Sequence, residues 1–304
     1  MRPTLISVIV STYNRSDALC AVLDGLARQR DRGFEVVVAD DGSRDEHVDA
    51  LFAHRADWNF PLRHAWHPDV GFTAAAVRNL GALQARGDYL VFLDGDCIAQ
   101  TDFVARHRAL ARRGSFVNGS RILLGPALSA AIVERRSAVP RCGLGMLRER
   151  LRGAINKLAP LCLRWPTRWR RTRAAFRWRG IRSCNMALWR DDYVRVDGFD
   201  ETFSGWGHED ADFVARLHAA GLSRVDGYWA TEVLHLWHRE AARDTESVNR
   251  QRVVDRLRGG ADRMRAERGM NNPLRSRDTA RVTVLIDAES HDARVPGTGR
   301  SGAT

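Results

Sequence analysis

Three clusters of polar residues follow short apolar runs in the first hundred residues. They are Thr12-Tyr13-Asn14-Arg15, Asp40-Asp41-Gly42-Ser43 and Asp94-Gly95-Asp96. The last cluster has the most definite chemistry, because two carboxylates separated by one small residue repel each other unless a cation neutralises them. A Mg²⁺ or Mn²⁺ ion binds one or two carboxylates together with the phosphate oxygens of a substrate. Each cluster alone is also typical of a plain surface turn, so its position in the fold decides between the two.

A second group of candidate residues lies in the last third of the chain. Its acids are Glu209, Asp210 and Asp212, and its histidines are His235 and His238. The acids stand at a predicted helix start, where the helix dipole stabilises negative charge. That accounts for the acids but not for the preceding Gly205-Trp206-Gly207 turn, which lets backbone approach a ligand and offers an indole face to a sugar ring.

The residues before the three polar clusters have the pattern of buried strands and covering helices. Residues 5–11 (LISVIVS), 34–39 (FEVVVA) and 89–93 (YLVFL) are short and apolar, which predicts buried strands. Residues 16–29 and 73–86 carry apolar side chains at helical spacing. This alternation predicts an α/β fold with a Rossmann-like, mostly parallel sheet flanked by helices. Ligands of such sheets bind at the carboxyl ends of the strands, where all three clusters lie.

The later part of the chain has a less regular pattern. Residues 181–189 predict a strand, residues 209–220 a helix, and residues 224–235 one or two short strands. Residues 281–286 (RVTVLI) predict an isolated strand, and residues 290–304 have the composition of a tail.

Four segments together resemble the family 2 glycosyltransferases of the GT-A fold. They are residues 7–15 (SVIVSTYNR), 36–43 (VVVADDGS), 71–96 (GFTAAAVRNLGALQARGDYLVFLDGD) and 203–221 (FSGWGHEDADFVARLHAAG). The last segment also resembles the C-terminal segment of galactosyltransferase-type enzymes, in which Trp-Gly-x-Glu-Asp marks the acceptor side. The resemblance implies a transferase that moves a hexose from a nucleotide sugar, usually a UDP-sugar, in the synthesis of cell-surface polysaccharide or glycoconjugate.

The resemblance also implies which residues bind the donor and the metal. The donor set is Thr12, Tyr13, Asn14, Asp40, Asp41, Arg78, Asn79, Asp94 and Asp96. Asp40 would accept the N3–H of uracil, although the inward-pointing member of the pair Asp40 and Asp41 stays open. Arg78 would face a phosphate, and Asp94 would lie near the ribose. Asp96 and one histidine, His235 or alternatively His238, would hold Mn²⁺ or Mg²⁺, and imidazole favours Mn²⁺.

On the acceptor side, the resemblance implies that Asp210 removes the proton of the attacking hydroxyl. Glu209 would bind the acceptor or support the loop. The residues expected to contact the acceptor are Trp206, Gly207 and Asn185. A single displacement of this kind inverts the anomeric configuration. The family often has another acid where this chain has Ala211, so acceptor contacts are expected to differ there.

Three other functions remain open at this stage. One is a retaining GalNAc-type transferase of the same fold, and the second is a nucleotidyltransferase, which the Trp-Gly-x-Glu-Asp segment disfavours. The third is a non-catalytic sugar- or nucleic-acid-binding protein on a GT-A scaffold. Such a protein would normally have lost the metal carboxylate or the base, whereas both are present here.

A strongly basic segment interrupts the resemblance. Between residues 135 and 182 there are fifteen Arg and Lys residues against one acid, Glu149, while the whole chain has a net charge of +11. Leucines from Leu144 onward fall at helical spacing, and Trp165, Trp169 and Trp178 follow among arginines. Residues 144–179 therefore predict a basic amphipathic helix that binds an anionic membrane surface. The alternatives are a helix packed on the catalytic domain and a nucleic-acid contact, which no recognition motif supports.

These interpretations combine into one domain plan. Residues 1–240 would form the catalytic domain, with a donor half at about 1–100, a basic insert at about 133–180 and an acceptor half at about 181–240. Residues 241–304 would form a helical extension and a flexible tail. No apolar run reaches the roughly 18 residues of a membrane span. We therefore expect a cytoplasmic protein, peripheral at the inner membrane face, acting on a saccharide or lipid-linked acceptor.

Overall fold

A computed structural model gives the fold and describes residues 2–135, 139, 143–163, 171–239, 245–259, 264–271 and 279–287. The strands are β1 (Ile6–Thr12), β2 (Phe34–Asp40), β3 (Leu62–Trp66), β4 (Tyr89–Asp94), β5 (Cys97–Ala99), β6 (Ser115–Asn118), β7 (Arg121–Leu123), β8 (Thr172–Arg173), β9 (Asn185–Trp189), β10 (Ser223–Asp226), β11 (Val233–His235) and β12 (Arg281–Ile286). The α-helices are α1 (Ser16–Ala27), α2 (Asp45–Ala53), α3 (Ala74–Gln84), α4 (Phe103–Leu110), α5 (Pro126–Val133), α6 (Leu144–Leu151), α7 (Ala159–Cys162), α8 (Arg190–Arg195), α9 (Glu209–Ala219) and α10 (Glu246–Arg258). A 3₁₀ turn covers Arg55–Asp57.

A nine-stranded sheet forms the centre, in the order β12-β3-β2-β1-β4-β9-β6-β10-β8. Strands β3, β2, β1 and β4 run parallel to one another, as do β6 and β10. Strand β9 is antiparallel to β4 and β6, and the edge strands β12 and β8 are antiparallel to β3 and β10. The predicted α/β fold with a mostly parallel sheet is confirmed, because six of the nine strands point the same way and only β8, β9 and β12 run opposite. Strand β12 is not isolated, however, because it pairs along β3.

The first four parallel strands are buried because helices cover both faces of the sheet. Every residue of β2 is buried, and along β1 only Ser11 is partly exposed. Helix α3 lies especially close to the sheet, since a Cβ at Gly81 would stand 2.6 Å from Ile9 Cγ2. This close packing fixes α3, and with it Arg78, at the carboxyl end of β4.

A second, three-stranded sheet in the order β5-β11-β7 was not anticipated from the sequence. Its strand β5 follows Asp96 directly, and β11 pairs with it in an antiparallel register that sets His235 opposite Cys97. The strand β7 adds on the other side of β11. The small sheet therefore brings the segment that contains His235 and His238 beside the Asp94-Gly95-Asp96 turn.

The basic segment is not the single helix that the leucine spacing predicted. It contains the separate helices α6 and α7, and the chain turns between them at Gly153, whose φ is +75°. Ile155 is buried and forms a bridge with Leu124, so this stretch packs on the catalytic domain. Trp165, Trp169 and residues 290–304 lie outside the described residues. Among those described, no helix is both long enough and apolar enough to span a membrane.

Candidate active site

A carboxylate and two imidazoles meet where the small sheet joins the large one. Asp96 Oδ2 lies 3.2 Å from His238 Nε2 and 3.7 Å from His235 Nε2. Cys97 Sγ also lies within 4.8 Å of the ligand atoms of Asp96 and His235, and the Cys97 thiol donates to Asp96 Oδ1 at 3.4 Å. The strand register produces the meeting, because the Leu236 amide donates to the Asp96 carbonyl at 2.9 Å. We refer to Asp96, His235 and His238 as the metal cluster.

The metal cluster fits a divalent ion of intermediate softness. One carboxylate oxygen and two imidazole nitrogens converge, which is a ligand set that suits Mn²⁺ better than Mg²⁺. Burial lowers the pKa of His235, so this imidazole is neutral near pH 7, the form that binds metals. The two histidine rings have centroids 5.2 Å apart, so both rings lie beside the same carboxylate.

Arg78 links the metal cluster's turn to the acids of the acceptor side. Its guanidinium lies 3.0 Å from Asp94 Oδ1 and 3.3 Å from Glu209 Oε1, and only 5% of the residue is exposed. Burial alone would lower the pKa of Arg78, but Asp94 and Glu209 outweigh burial and raise it. The sequence interpretation had Arg78 facing a donor phosphate. In the structure two carboxylates engage the guanidinium instead.

Glu209 and Asp210 form an acidic pair at the start of α9, where both residues are partly exposed. Burial, and then the charge of Asp210, raise the pKa of Glu209 to about 7, although Arg78 opposes this. Burial likewise raises the pKa of Asp210, against the effects of Arg78 and of amide hydrogen bonds from Ala211 and Ser183. A carboxylate whose pKa approaches neutrality is a stronger base than an exposed one and suits proton abstraction near pH 7.

The third acid of this segment has a different place. Asp212 is fully buried, receives Arg216 Nε at 2.8 Å and pairs with Arg256. It therefore holds α9 in the core, while Glu209 and Asp210 lie beside Arg78. Of the three acids at the start of α9, Asp212 therefore has a structural role, and Glu209 and Asp210 are the candidates for chemistry.

The donor-side turn after β1 is fixed by the turn after β2. The Asn14 amide donates to Ser43 Oγ at 2.8 Å, and Asn14 Oδ1 accepts from the Arg44 amide at 2.9 Å. The Thr12 carbonyl accepts from the Asp41 amide at 3.0 Å. Tyr13 is 47% exposed and donates to Asp69 at 2.8 Å. The polar clusters after β1 and β2 therefore lie side by side, as the sheet prediction required.

Asp40 and Asp41 point to different neighbours. Asp40 pairs with His64 Nε2 at 2.9 Å and accepts from the Ser43 amide at 2.8 Å. Asp41 accepts from the Thr73 amide at 2.9 Å and lies 3.0 Å from His67 Nε2. Asp41 is also the member whose charge acts on the exposed Tyr13. The geometry therefore favours Asp41 as the acid nearer the opening of the site.

The acceptor turn at residues 203–208 has an unusual backbone. Gly205, Gly207 and His208 have φ values of +70°, +102° and +70°. Thr245 and Asn249, at the start of α10, hydrogen-bond to carbonyls of this turn. Trp178, which the sequence interpretation assigned to a membrane surface, places its ring edge-on to His208 with centroids 5.6 Å apart. No local pattern in the sequence signals these contacts, because the partners are about 30 to 45 residues apart.

Two predicted contact residues are structural instead. Asn79 is fully buried and its carboxamide bonds to both the carbonyl and the amide of Phe199 at 2.9 Å, so it does not face a donor. Asn185 is also fully buried, and its Oδ1 lies 3.0 Å from His107 Nε2 while its Nδ2 donates to the Ser120 carbonyl. Neither side chain is placed to touch a substrate. Both asparagines join segments of the core.

Comparisons with known proteins show which families and relatives the chain is similar to. Residues 7–125 match the model of "Glycosyl transferase family 2", and residues 168–239 match the "N-terminal domain of galactosyltransferase". The chain is 31% identical over 267 residues to a validoxylamine A glucosyltransferase of Streptomyces hygroscopicus subsp. jinggangensis, covering 82% of this chain and 60% of the relative. It is 30% identical to the chondroitin synthase of Pasteurella multocida, covering 71% of this chain and 23% of the synthase.

The fold is also that of solved glycosyltransferases. The structure of GalNAc-T7 with UDP, GalNAc and Mn²⁺ aligns with a TM-score of 0.59 at 17% identity, over 83% of this chain and 48% of that one. This chain spans about 60% of the length of the validoxylamine A glucosyltransferase and 23% of the length of the chondroitin synthase. The matched segments, the relatives and the fold together identify the chain as a family 2 glycosyltransferase of the GT-A fold with a galactosyltransferase-type C-terminal segment.

Proposed function

We propose that the protein is a metal-dependent, inverting glycosyltransferase that moves a hexose from a UDP-sugar to a saccharide or lipid-linked acceptor. The observation that carries this proposal is the position of Arg78. It bridges Asp94, beside the metal cluster, to Glu209, beside Asp210. A donor diphosphate at the metal cluster and an acceptor hydroxyl at Asp210 would therefore occupy one cleft.

Each part of the cleft has a role that follows from its chemistry. Asp96, His235 and His238 would hold Mn²⁺ or Mg²⁺, and a bound ion supplies positive charge for the departing diphosphate. The turns at Thr12–Asn14 and at Asp41 would hold the nucleoside. Asp210 would take the proton of the acceptor hydroxyl as the hydroxyl oxygen bonds to the anomeric carbon and the bond to the diphosphate oxygen breaks.

The role of Glu209 follows from its neighbours. It is the acid in contact with Arg78, so it would hold the guanidinium between the two halves of the site. Burial raises the pKa of the neighbouring Asp210, which keeps that carboxylate basic. Trp206 and Gly207 would line the acceptor side together with the exposed face of Trp178.

The test is a screen for UDP release. UDP-glucose, UDP-galactose, UDP-GlcNAc and UDP-GalNAc are each incubated with the protein and Mn²⁺, Mg²⁺ or EDTA. Glucose is the first sugar to test, because the relative named above is a glucosyltransferase. We expect metal-dependent UDP release from one donor and a product of inverted anomeric configuration by NMR. Retained configuration would point to the retaining alternative, and no release from any donor would contradict the proposal.

A peripheral membrane position is a separate part of this proposal. Leu147, Leu151 and Leu163 are 50%, 80% and 58% exposed, although leucine normally lies buried. Arg148 and Arg150 lie on α6 beside them. Shallow insertion of the leucines and attraction of the arginines to anionic headgroups would place the site at the inner membrane face. This surface would also present a lipid-linked acceptor to the cleft.

Vesicle flotation tests the membrane contact. We expect the intact protein to float with vesicles containing phosphatidylglycerol and not with neutral ones. The double variant Leu147→Ser and Leu151→Ser should lose flotation, whereas Val194→Ser, at another exposed apolar position, should not. Equal flotation of the wild type and the double variant would contradict the assignment of this surface.

A further inference from the structure

We propose that Thr245 and Asn249 are positioning residues that fix the acceptor turn and thereby aim Asp210. This inference rests on the proposed function. The turn leads directly into α9, so its conformation sets where Glu209 and Asp210 lie relative to Arg78. The helix α10 lies beyond both matched family segments, which end at residues 125 and 239.

The contacts run from α10 to the carbonyl groups of the turn. Asn249 is 3% exposed, and its Nδ2 donates to the Ser204 carbonyl at 3.2 Å and the Trp206 carbonyl at 3.5 Å. Thr245 Oγ1 donates to the Trp206 carbonyl at 3.1 Å. A buried carboxamide that serves two carbonyls of one turn holds their spacing fixed, because no solvent replaces it there.

The turn needs such support because its backbone is strained. Two glycines and His208 lie in the left-handed region, and a non-glycine residue there costs free energy that its surroundings must supply. A Cβ at Gly205 would stand 2.5 Å from Thr245 Oγ1, so the turn lies directly on α10. A Cβ at Gly207, by contrast, would meet no atom within 4 Å. The turn is therefore held from the α10 side.

Other contacts of α10 fix both ends of the turn. Val253 is fully buried against Phe203, which precedes the turn, and Ala211, which follows it. Arg256 pairs with Asp212 on α9. The helix therefore binds the residues before, within and after the turn, so one rigid element sets the position of the acidic pair.

Hydrogen–deuterium exchange on the full-length protein tests the positioning directly. We compare the wild type with Asn249→Ala, Thr245→Val and the control Gln251→Ala, which alters an exposed residue of the same helix. We expect amides of residues 203–210 to exchange about fivefold faster or more in the first two variants. Exchange in Ile6–Thr12 should stay unchanged in all of them. Unaltered exchange at residues 203–210 in both variants would overturn the proposal, and this readout does not depend on catalysis.

Kinetics separates positioning from a merely structural role. With the UDP-sugar that the wild type consumes fastest and p-nitrophenyl glycosides or water as acceptor, kcat should fall about 10-fold to 100-fold in Asn249→Ala. The donor KM should stay within about twofold, since the side chains of Thr245 and Asn249 bond to the acceptor turn. Thr245→Val is a smaller change, so its kcat should lie between those of Asn249→Ala and the wild type. The kcat of Gln251→Ala should match that of the wild type.

The outcomes also separate this proposal from the proposed function. If Asp210→Asn abolishes transfer while Asn249→Ala keeps the wild-type kcat, the positioning role is wrong and the catalytic assignment stands. If Asp210→Asn retains full activity, the catalytic assignment is wrong, and the exchange experiment still decides whether α10 fixes the turn. A fall in melting temperature with unchanged kcat at a temperature where the variant is folded would mean a structural role only.

Discussion

The donor half and the acceptor half of this site are built in different ways. In the donor half, polar residues follow β1, β2 and β4 directly, and parallel pairing alone brings them to one edge. In the acceptor half, the acidic pair takes its position from α10 and from Arg78, which is 131 residues away from Glu209 in sequence. On the proposed function, donor binding would depend on the sheet, whereas acceptor activation would depend on long-range contacts.

This difference implies that the two halves can be damaged separately. A change at the metal cluster should affect UDP binding, because its groups meet through strand register. A change at the acidic pair should affect turnover, because Asp210 is the proposed base and Glu209 contacts Arg78. Arg78 is the exception, since it touches both halves and should couple them.

The largest effect is expected from Asp210→Asn. The amide cannot accept the proton of the acceptor hydroxyl, so kcat should fall by about 10³-fold. The affinity for UDP with Mn²⁺ should stay within about twofold of the wild type, since the donor half is intact. UDP release kinetics and calorimetry measure the two quantities. A variant that loses UDP affinity in parallel with kcat would show that the halves are not separable.

The converse change is Asp96→Ala. It removes the carboxylate between the two histidines, and we expect the Mn²⁺-dependent affinity for UDP to fall by about 100-fold. The control Asp102→Ala alters a partly exposed acid at the N-cap of α4 and should bind UDP with the affinity of the wild type. Calorimetry with UDP, with and without Mn²⁺, makes the measurement. Full metal-dependent affinity in Asp96→Ala would refute its assignment as a ligand.

The pH dependence of the reaction sharpens the role of Arg78. A base must be ionised to act, and burial raises the pKa of the acidic pair, with Glu209 at about 7. The rate should therefore rise with pH above the range of an ordinary carboxyl pKa, because burial raises the pKa of the proposed base Asp210. Arg78→Gln removes the charge that lowers these pKa values and should move the rise upward by about one pH unit.

Arg78→Lys serves as the matched control because it keeps the charge. The rate of Arg78→Lys should rise with pH in a range closer to that of the wild type. Arg78→Gln should also lower the free energy of unfolding by about 1 to 3 kcal/mol, because it leaves two partly buried carboxylates without their partner. An unchanged pH profile in Arg78→Gln would mean that the acidic pair is not the group that titrates.

The smallest predicted effect concerns Trp178. Its ring contacts His208 and is 37% exposed, so it offers a face to an acceptor sugar. Trp178→Ala should raise the acceptor KM by about threefold to tenfold, with little change in the donor KM. Tyr228→Ala, at an exposed aromatic away from the acidic pair, should leave both values unchanged. An unchanged acceptor KM would mean that Trp178 only packs against His208 and does not contact the acceptor.

The donor half was predictable from the sequence because its signals are local. Apolar runs gave β1, β2 and β4 to within about a residue, and each polar cluster lies where the strand ends. The small sheet was missed because β5, β7 and β11 are three residues long, too short for a periodic pattern. Its consequence, two histidines beside Asp96 rather than one, could not be read from spacing.

The remaining errors of the sequence prediction have a common physical origin. Asn79 and Asn185 lie close to motif residues in sequence, but their carboxamides satisfy buried backbone groups. Leucine spacing over residues 144–162 suggested one helix, whereas Gly153 in a left-handed conformation divides it. In each case a tertiary contact or a backbone turn outweighed the local pattern.

The central claim is that one cleft holds the metal, the diphosphate and the catalytic acid. A crystal of the protein with UDP and Mn²⁺, measured at the manganese absorption edge, tests it most directly. We predict one anomalous peak, which marks a manganese ion bound by Asp96 and by His235, His238 or both. The diphosphate should lie on the side that faces Asp210. A peak on another surface, or a diphosphate turned away from Asp210, would contradict it.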